Sequence, residues 1–265
     1  MAREVCGHCR RPRRVCLCEF LPATPVLLRT PVLLLQHPHE ARRRLQTAAL
    51  LELCLDSHSL AVVRGRSLGC LIRSGAWAER VVGEARTPLL LFPRVGAIQP
   101  SELAPAGSAG AEYCLVVIDG TWKEVNEMLR KSSAELEGLA CIDVAAACGL
   151  ASRRGLYAAR KPPQDGFFST LEAVAYAVGV LESAEAAAAI VPTLLRPMVR
   201  MAQQQLELTV QHGFQVHRTL KSGYRPNMVD DVNRAAAALC IEKHVFCPPS
   251  AREILLSSSD MAHTT

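Results

Sequence analysis

From Pro25 onward the chain alternates short, wholly apolar runs with stretches in which apolar residues recur every three or four positions. The first kind suits strands buried on both faces, the second amphipathic helices. Val32–Gln36 (VLLLQ), Leu60–Val63, Leu89–Phe92 and Leu139–Ala145 are predicted as strands. Tyr113–Ile118 (YCLVVI), β-branched and aromatic, is the clearest of the set. Apolar residues at 45, 48, 49, 51, 53 and 55 predict a helix after Glu40. Further helices are predicted from Trp122 to about Lys131, from Ser169 to about Ser183, and from Pro192 to about His212. Ser169-Thr170-Leu171-Glu172 has the spacing of a capping box, in which Ser169 and Glu172 satisfy each other's free amides. Strands alternating with helices predict an α/β fold: a mainly parallel sheet with helices on both faces. Between these elements, residues 99–110 read as a polar insertion, and 153–168 as a basic loop with a short strand at 156–159. Residues 214–235 read as polar and irregular, and 257–265 as disordered.

Composition adds little to that fold but narrows the partners. With 265 residues and 49% hydrophobic content, the chain can bury one good core with a small appendage. No apolar run has the length of a membrane-spanning helix, so no membrane partner is expected. Arginines and cysteines stand where a secretory signal would place an apolar segment, so an intracellular location, cytoplasmic or nuclear, is expected. The formal charge is +5, yet of 30 basic residues only five are lysines. Arginine grips phosphate with a planar fork. Its clustering at residues 10–14, 42–44 and 153–160 suits a polyanion.

Eleven cysteines, an odd number in a chain without a signal peptide, speak against a disulfide framework. Four of them, Cys6, Cys9, Cys16 and Cys18, form two close pairs six residues apart. Two such pairs complete the tetrahedral all-sulfur shell that zinc prefers. Residues 1–24 are therefore read as a zinc knuckle, residues 25–213 as the main α/β domain and 214–265 as a divergent, partly disordered C-terminal extension. His8 is a rival ligand, but the shell of four cysteines is preferred, with a structural role.

Asp119-Gly120-Thr121-Trp122 follows directly from the strand YCLVVI. In open α/β sheets ligands sit beyond the carboxyl ends of the strands, so a carboxylate there is placed to act. Gly120 allows close backbone approach. Thr121 or Asp119 can cap the next helix, which is the plainer reading of the motif. Trp122 is either a core anchor or a stacking platform for a base.

This tetrapeptide resembles the D-x-T-W motif of the DTW-domain family of tRNA-uridine aminocarboxypropyltransferases. The four-cysteine N-terminus resembles that family too. So do Leu35-Gln36-His37-Pro38-x-Glu40, Leu91-Phe92-Pro93 and the segment from Arg160 to Ala173, in the family's order across residues 6 to about 212. The run Arg160–Pro163 is unusually basic and Pro-rich, and the last fifty or so residues diverge. The resemblance implies a fold related to SPOUT-type RNA methyltransferases, with a knotted cofactor site. It implies S-adenosylmethionine as co-substrate and tRNA as partner. The 3-amino-3-carboxypropyl group would pass to N3 of a uridine, with methylthioadenosine released.

Asp119 would then be the general base, or would orient the imide proton. An exposed aspartate is a weak base, so that role needs a buried site. Leu91, Phe92 and Pro93, with Gly120, Thr121 and Trp122, would line the cofactor pocket. Ser169, Thr170 and Leu171 would offer free amides to the methionyl carboxylate. His37 and Glu40 are candidate substrate contacts, and Arg160 and Lys161 candidate phosphate contacts. Three other readings stay open: a SPOUT-type RNA methyltransferase, an enzyme acting on ribosomal RNA, and a non-catalytic zinc-knuckle RNA-binding adaptor.

Overall fold

A computed structural model of the chain describes residues 4–43, 46–99, 102–104, 106–108, 111–147, 155–156, 168–211 and 228–238. Its centre is a five-stranded sheet in which every strand pair is parallel. The strands are β1 (Val32–Gln36), β2 (Leu60–Arg64), β3 (Thr87–Leu91), β4 (Tyr113–Asp119) and β5 (Ala140–Ile142), in spatial order β2-β1-β4-β3-β5. The apolar runs of β1 and β4 explain their central place. Both are covered on both faces, as a parallel sheet requires. Val32 and Leu34 face one core with Leu89, Leu115 and Val117, while Leu33 and Leu35 face the other with Leu90, Cys114 and Val116. The alternation is the period of two along a strand.

Helices close both cores. α1 (Ala48–Cys54), α7 (Thr170–Leu181) and α8 (Ala184–Gln211) cover the first. α2 (Leu68–Ile72) and α4 (Trp122–Arg130) cover the second, with the short α3 (Gly75–Trp77) and α5 (Ser133–Leu136) beside them. A π turn, Ala78–Gly83, continues α3. α6 (Val144–Ala147) follows β5, and α9 (Met228–Ala238) packs on α8. Leu34, Leu115 and Leu171 have no exposed surface. Cutting any of them to alanine costs about 2–5 kcal/mol. Among the described residues no helix is long and apolar enough to cross a membrane.

Several boundaries differ from the sequence reading, each for a local reason. The predicted strand 139–145 stops at Ile142. Asp143 Oδ1 accepts from the Ala145 amide at 2.9 Å and turns the alanine run into α6. α1 begins only at Ala48, after a 3-10 turn at Glu40–Arg42, and Leu55 leaves it to bridge Val26. β3 starts at Thr87 rather than Leu89 and so contains Pro88. Pairing with β5 begins one residue later, at Leu89, so the missing N–H interrupts nothing on that side. α8 begins eight residues before Pro192 and carries both Pro192 and Pro197 inside it. The stretch Ala184–Ile190 is rich in alanine, the strongest helix former, and continues through the break. The Thr193 hydroxyl donates to the Ala189 carbonyl at 2.8 Å in the turn around Pro192.

Residues 99–110 are not a loose insertion where described. Ile98 bridges Ile142, the Ala106 amide donates to the Leu181 carbonyl at 2.8 Å, and Leu103 packs on the core. α9 occupies part of the stretch expected to be irregular, with Val232 and Ala236 fully buried. Leu156 is not in a strand, and the remainder of 157–159 lies outside the described residues, as do residues 257–265. Most of the path between α6 and α7 lies outside them as well, and the described residues show no knot.

Candidate active site and metal centre

Asp119 ends β4, the middle strand, at the carboxyl edge of the sheet. Its side chain is 3% exposed. Each carboxylate oxygen takes a hydrogen bond from a different element. Gln36 Nε2, from the end of β1, donates to Oδ2 at 2.9 Å. The Thr170 hydroxyl, in the first turn of α7, donates to Oδ1 at 2.6 Å. Parallel pairing sets Gln36 directly beside Asp119, and Gln36 Nε2 also donates to Gln46 Oε1 at 2.9 Å. The His37 amide donates to the Asp119 carbonyl at 2.8 Å. Three separate motifs thus meet on one carboxylate.

The loop after Asp119 is tight. A Cβ on Gly120 would stand 3.3 Å from Glu124 Cβ and 3.4 Å from His37 Cβ, so a glycine fits the close approach. Thr121 is the N-cap of α4. It accepts from the Glu124 amide at 3.3 Å, while its own amide and hydroxyl donate to Glu124 Oε2 at 2.8 and 2.7 Å. Trp122 is half-buried, its ring 6.4 Å from that of Phe92 at 48°. The pair carries the end of β3 to the D-x-T-W loop. Leu91, Phe92 and Pro93 are all half-buried there.

Ser169 caps α7 in the same manner. The Glu172 amide donates to Ser169 Oγ at 3.3 Å, and the Ser169 amide donates to Glu172 Oε2 at 3.1 Å. Glu172 Oε1 accepts from the Leu156 amide at 2.8 Å, which ties the preceding loop to the helix start. Thr170 turns its hydroxyl to Asp119, and the Leu171 side chain lies wholly in the core. A ligand at this end would meet backbone, not the Leu171 side chain.

The turn after β1 brings a charged cluster to the same edge. His37 is buried, and burial holds its imidazole below the usual pKa against the pull of Glu124. Glu124 Oε1 stands 3.4 Å from His37 Nδ1, 3.6 Å from His39 Nδ1 and 3.3 Å from Arg43 Nη2. Burial opposes the ionisation of Glu124, but the Thr121 hydrogen bonds and the Arg43 charge outweigh it and hold the carboxyl below its usual range. Glu40 is 1% exposed and accepts from Arg43 Nη1 at 2.5 Å. Of the two expected substrate contacts, Glu40 is turned inward on Arg43 and His37 lies against the D-x-T-W loop. Arg160 and Lys161 lie outside the described residues.

A cavity of about 490 Å³ opens between the sheet and α4–α5. Leu90, Phe92, Leu129, Leu136 and Cys141 line it, with the exposed Arg94, Arg130 and Glu137. Phe92 belongs to it; Asp119 and Trp122 do not line it.

At the N-terminus the four predicted cysteines converge. All four Sγ atoms lie within 4.8 Å of one another, with Cys6–Cys18 and Cys9–Cys16 at 3.6 Å. Zinc–sulfur bonds of about 2.3 Å in a tetrahedron give sulfur–sulfur edges of about 3.8 Å, so the donor set fits that ion. Backbone hydrogen bonds at Cys9 and His8 lower the Cys6 thiol to about 6, whereas burial pushes Cys18 up to about 12. A divalent cation would offset the charge that keeps four thiolates apart. His8 Nδ1 sits 3.4 Å from Cys18 Sγ, outside the group of four. The knuckle is built into the main body: Leu17 and Phe20 join the first core, and Arg11 reaches Met201 Sδ at 3.2 Å on α8.

Gln36 and Glu124 are not singled out by the sequence as site residues, and Arg43 is read only as part of the basic run 42–44. Gln36 carried the readable signal. A polar side chain closing a fully buried strand needs a partner. The pairing of Asp119 with Thr170 spans 51 positions and left no local mark.

The sheet edge, the D-x-T-W loop and the four-cysteine knuckle define a class of protein, and comparison with known sequences gives its family. The DTW domain model matches residues 3–206, and the chain belongs to that family. It is 34% identical over 77% of its length to tRNA-uridine aminocarboxypropyltransferase 2 of Drosophila melanogaster, covering 76% of that protein. The mouse protein of the same name, from Mus musculus, is 30% identical over 84% of this chain and 71% of its own. tRNA-uridine aminocarboxypropyltransferase A of Arabidopsis thaliana is 30% identical over 77% of this chain and 83% of its own. No solved structure matches the chain.

Proposed function

We propose that this protein transfers the 3-amino-3-carboxypropyl group of S-adenosylmethionine to N3 of a uridine in tRNA. The observation that carries the reading is the clamped carboxylate of Asp119, on which β1, β4 and α7 converge. It joins a family membership to a place where chemistry can occur. The named relatives support the acceptor, tRNA uridine, and the group transferred.

In the reaction N3 of uracil gains a bond to carbon. That carbon loses its bond to the sulfonium sulfur, and the imide proton leaves. The departing thioether is neutral, so the leaving group needs no acid. Which of the three sulfonium carbons reacts depends on which one faces the nucleophile. Asp119 acts in this scheme as a fixed acceptor. Gln36 donates to one of its oxygens and Thr170 to the other, and an ionised carboxylate offers about four acceptor directions in all. Gln36 and Thr170 hold it against rotation, and a preorganised acceptor loses no energy in reorientation at the moment of reaction. The Trp122–Phe92 pair offers an apolar wall to adenine or base, beside Leu91, Pro93, Gly120 and Thr121. The amides of Thr170 and Leu171 would take the methionyl carboxylate, the Ser169 amide being held by Glu172, and Arg160 and Lys161 would contact the tRNA phosphates. The cofactor loop is knotted as in SPOUT-type enzymes. Zinc at Cys6, Cys9, Cys16 and Cys18 is structural, and the protein works inside the cell.

The test is the fate of the donor. Incubated with tRNA and S-adenosylmethionine, the protein should release methylthioadenosine in amounts equal to the uridine modified. Release of S-adenosylhomocysteine would make it a methyltransferase instead.

A further inference from the structure

The cluster beside the reactive loop has a geometry that ion pairing alone does not explain. One ring nitrogen of His37, one of His39 and one oxygen of Glu124 lie within 4.8 Å of one another, and the Nδ1 atom of each histidine faces Glu124 Oε1. The two nitrogen–oxygen distances, 3.4 and 3.6 Å, are longer than good hydrogen bonds, which run from about 2.7 to 3.2 Å. They match the edges of a different figure. A tetrahedral ion with bonds of about 2.0–2.1 Å separates its ligand atoms by about 3.3–3.4 Å. The two rings meet edge to face, 82° apart with centroids at 4.9 Å, so their in-plane lone pairs can aim at one point without stacking.

The His39 amide donates to His37 Nδ1 at 3.3 Å, which is long for such a bond. The nitrogen therefore presents an acceptor and not an N–H, and an ion in the cluster would take the place of that one amide contact. The Glu124 oxygen, a second acceptor, stands 3.4 Å from the same nitrogen.

We propose that His37, His39 and Glu124 form a second metal site, for a divalent first-row ion with zinc as the best fit. Two imidazoles and one carboxylate suit zinc, nickel and cobalt, and leave a fourth position for water or a ligand. The surroundings are built for it. Glu124 is fixed by its other oxygen, which accepts from Thr121. His37 is fixed by its amide on the Asp119 carbonyl. His39, 57% exposed, gives the ion a way in.

Other charges face the cluster. Arg43 is the resident cation, but it reaches Glu124 only at 3.3 Å and keeps Glu40 at 2.5 Å. An ion therefore takes the Glu124 oxygen without leaving Arg43 unpaired. Arg66 and Glu127 act on His37 from further off and with opposite signs. The site differs in donor set from the four cysteines, and it ties the turn after β1 to the helix that carries the reactive loop.

The experiment is a cobalt(II) titration of the full-length, untagged chain after removal of metal, read by absorption and by calorimetry. Two equivalents should bind. The first should show thiolate-to-metal charge transfer and the second should lack it. His39→Ala, a change at an exposed side chain, should weaken the second equivalent at least tenfold and leave the first intact. Glu124→Gln should do the same. A single equivalent in the unaltered protein, or a second that survives both substitutions, would overturn the proposal.

Discussion

At the scale of single residues, the site is a matter of what Asp119 can reach. A buried carboxylate with one hydrogen bond could swing; two bonds from β1 and α7 prevent that. Thr170→Val keeps the shape of the side chain and removes the shorter bond. Loss of a hydrogen bond to a charged group costs about 1.5–3 kcal/mol, which corresponds to a rate loss of roughly ten- to a hundredfold if it falls on the transition state. The expected outcome is such a fall in kcat with little change in KM for tRNA. A KM effect alone would place Thr170 in substrate binding and not in the orientation of Asp119. How much of this was legible beforehand varies by residue. Asp119 stood out because it ends a strand of six apolar or aromatic residues. Thr170 was readable only as part of a helix start, since the contact that gives it meaning lies 51 positions away. Glu124 was hidden for another reason. It looks like an ordinary capping partner, and only its second oxygen meets the histidines.

At the scale of elements, the sheet was the readable part and the helix limits were not. Strands buried on both faces leave unbroken apolar runs, and β1 and β4 declare themselves. Helix ends depend on side-chain caps and on neighbours. α8 runs through two prolines because its alanine-rich start and its contacts with α7 hold it there. The element with the sharpest expected response to pH is the turn from His37 to Arg43 with the start of α4. Burial lowers the pKa of His37 in the folded state, so the unfolded chain takes up a proton first as the pH falls below about 6.5. Stability drops from there by up to about 1.4 kcal/mol per pH unit per proton. Glu124, held below its usual range, adds a second loss in more acid solution, once the pH falls through about 4.5 and below. Thermal unfolding followed from pH 7.5 to 5.5 should show a midpoint that falls with pH. His37→Gln should flatten that fall; an unchanged slope would mean that the His37 imidazole is not the group responsible.

At the scale of the whole molecule, the N-terminal knuckle and the long α8 are one structure. Leu17 and Phe20 are buried in the core that α8 closes, and Arg196 and Arg200 lie over the Phe20 ring at 5.8 Å each. Metal held by the four cysteines would thus support a helix that also packs on α7, the helix carrying Thr170. Removing the metal with a chelator, or replacing Cys9 by alanine, should lower the thermal midpoint and reduce catalysis together, although the four knuckle cysteines lie far from Asp119 in the sequence. Activity that persists in a metal-free protein of lowered stability would separate the knuckle from the site. All these effects presuppose the reaction itself, and mass spectrometry of nucleosides tests that most directly. Bulk tRNA is incubated with the purified protein and S-adenosylmethionine, then digested. A uridine heavier by one aminocarboxypropyl group is the predicted product. A uridine heavier by one methyl group, or unmodified tRNA from a protein shown to bind both substrates, would contradict it.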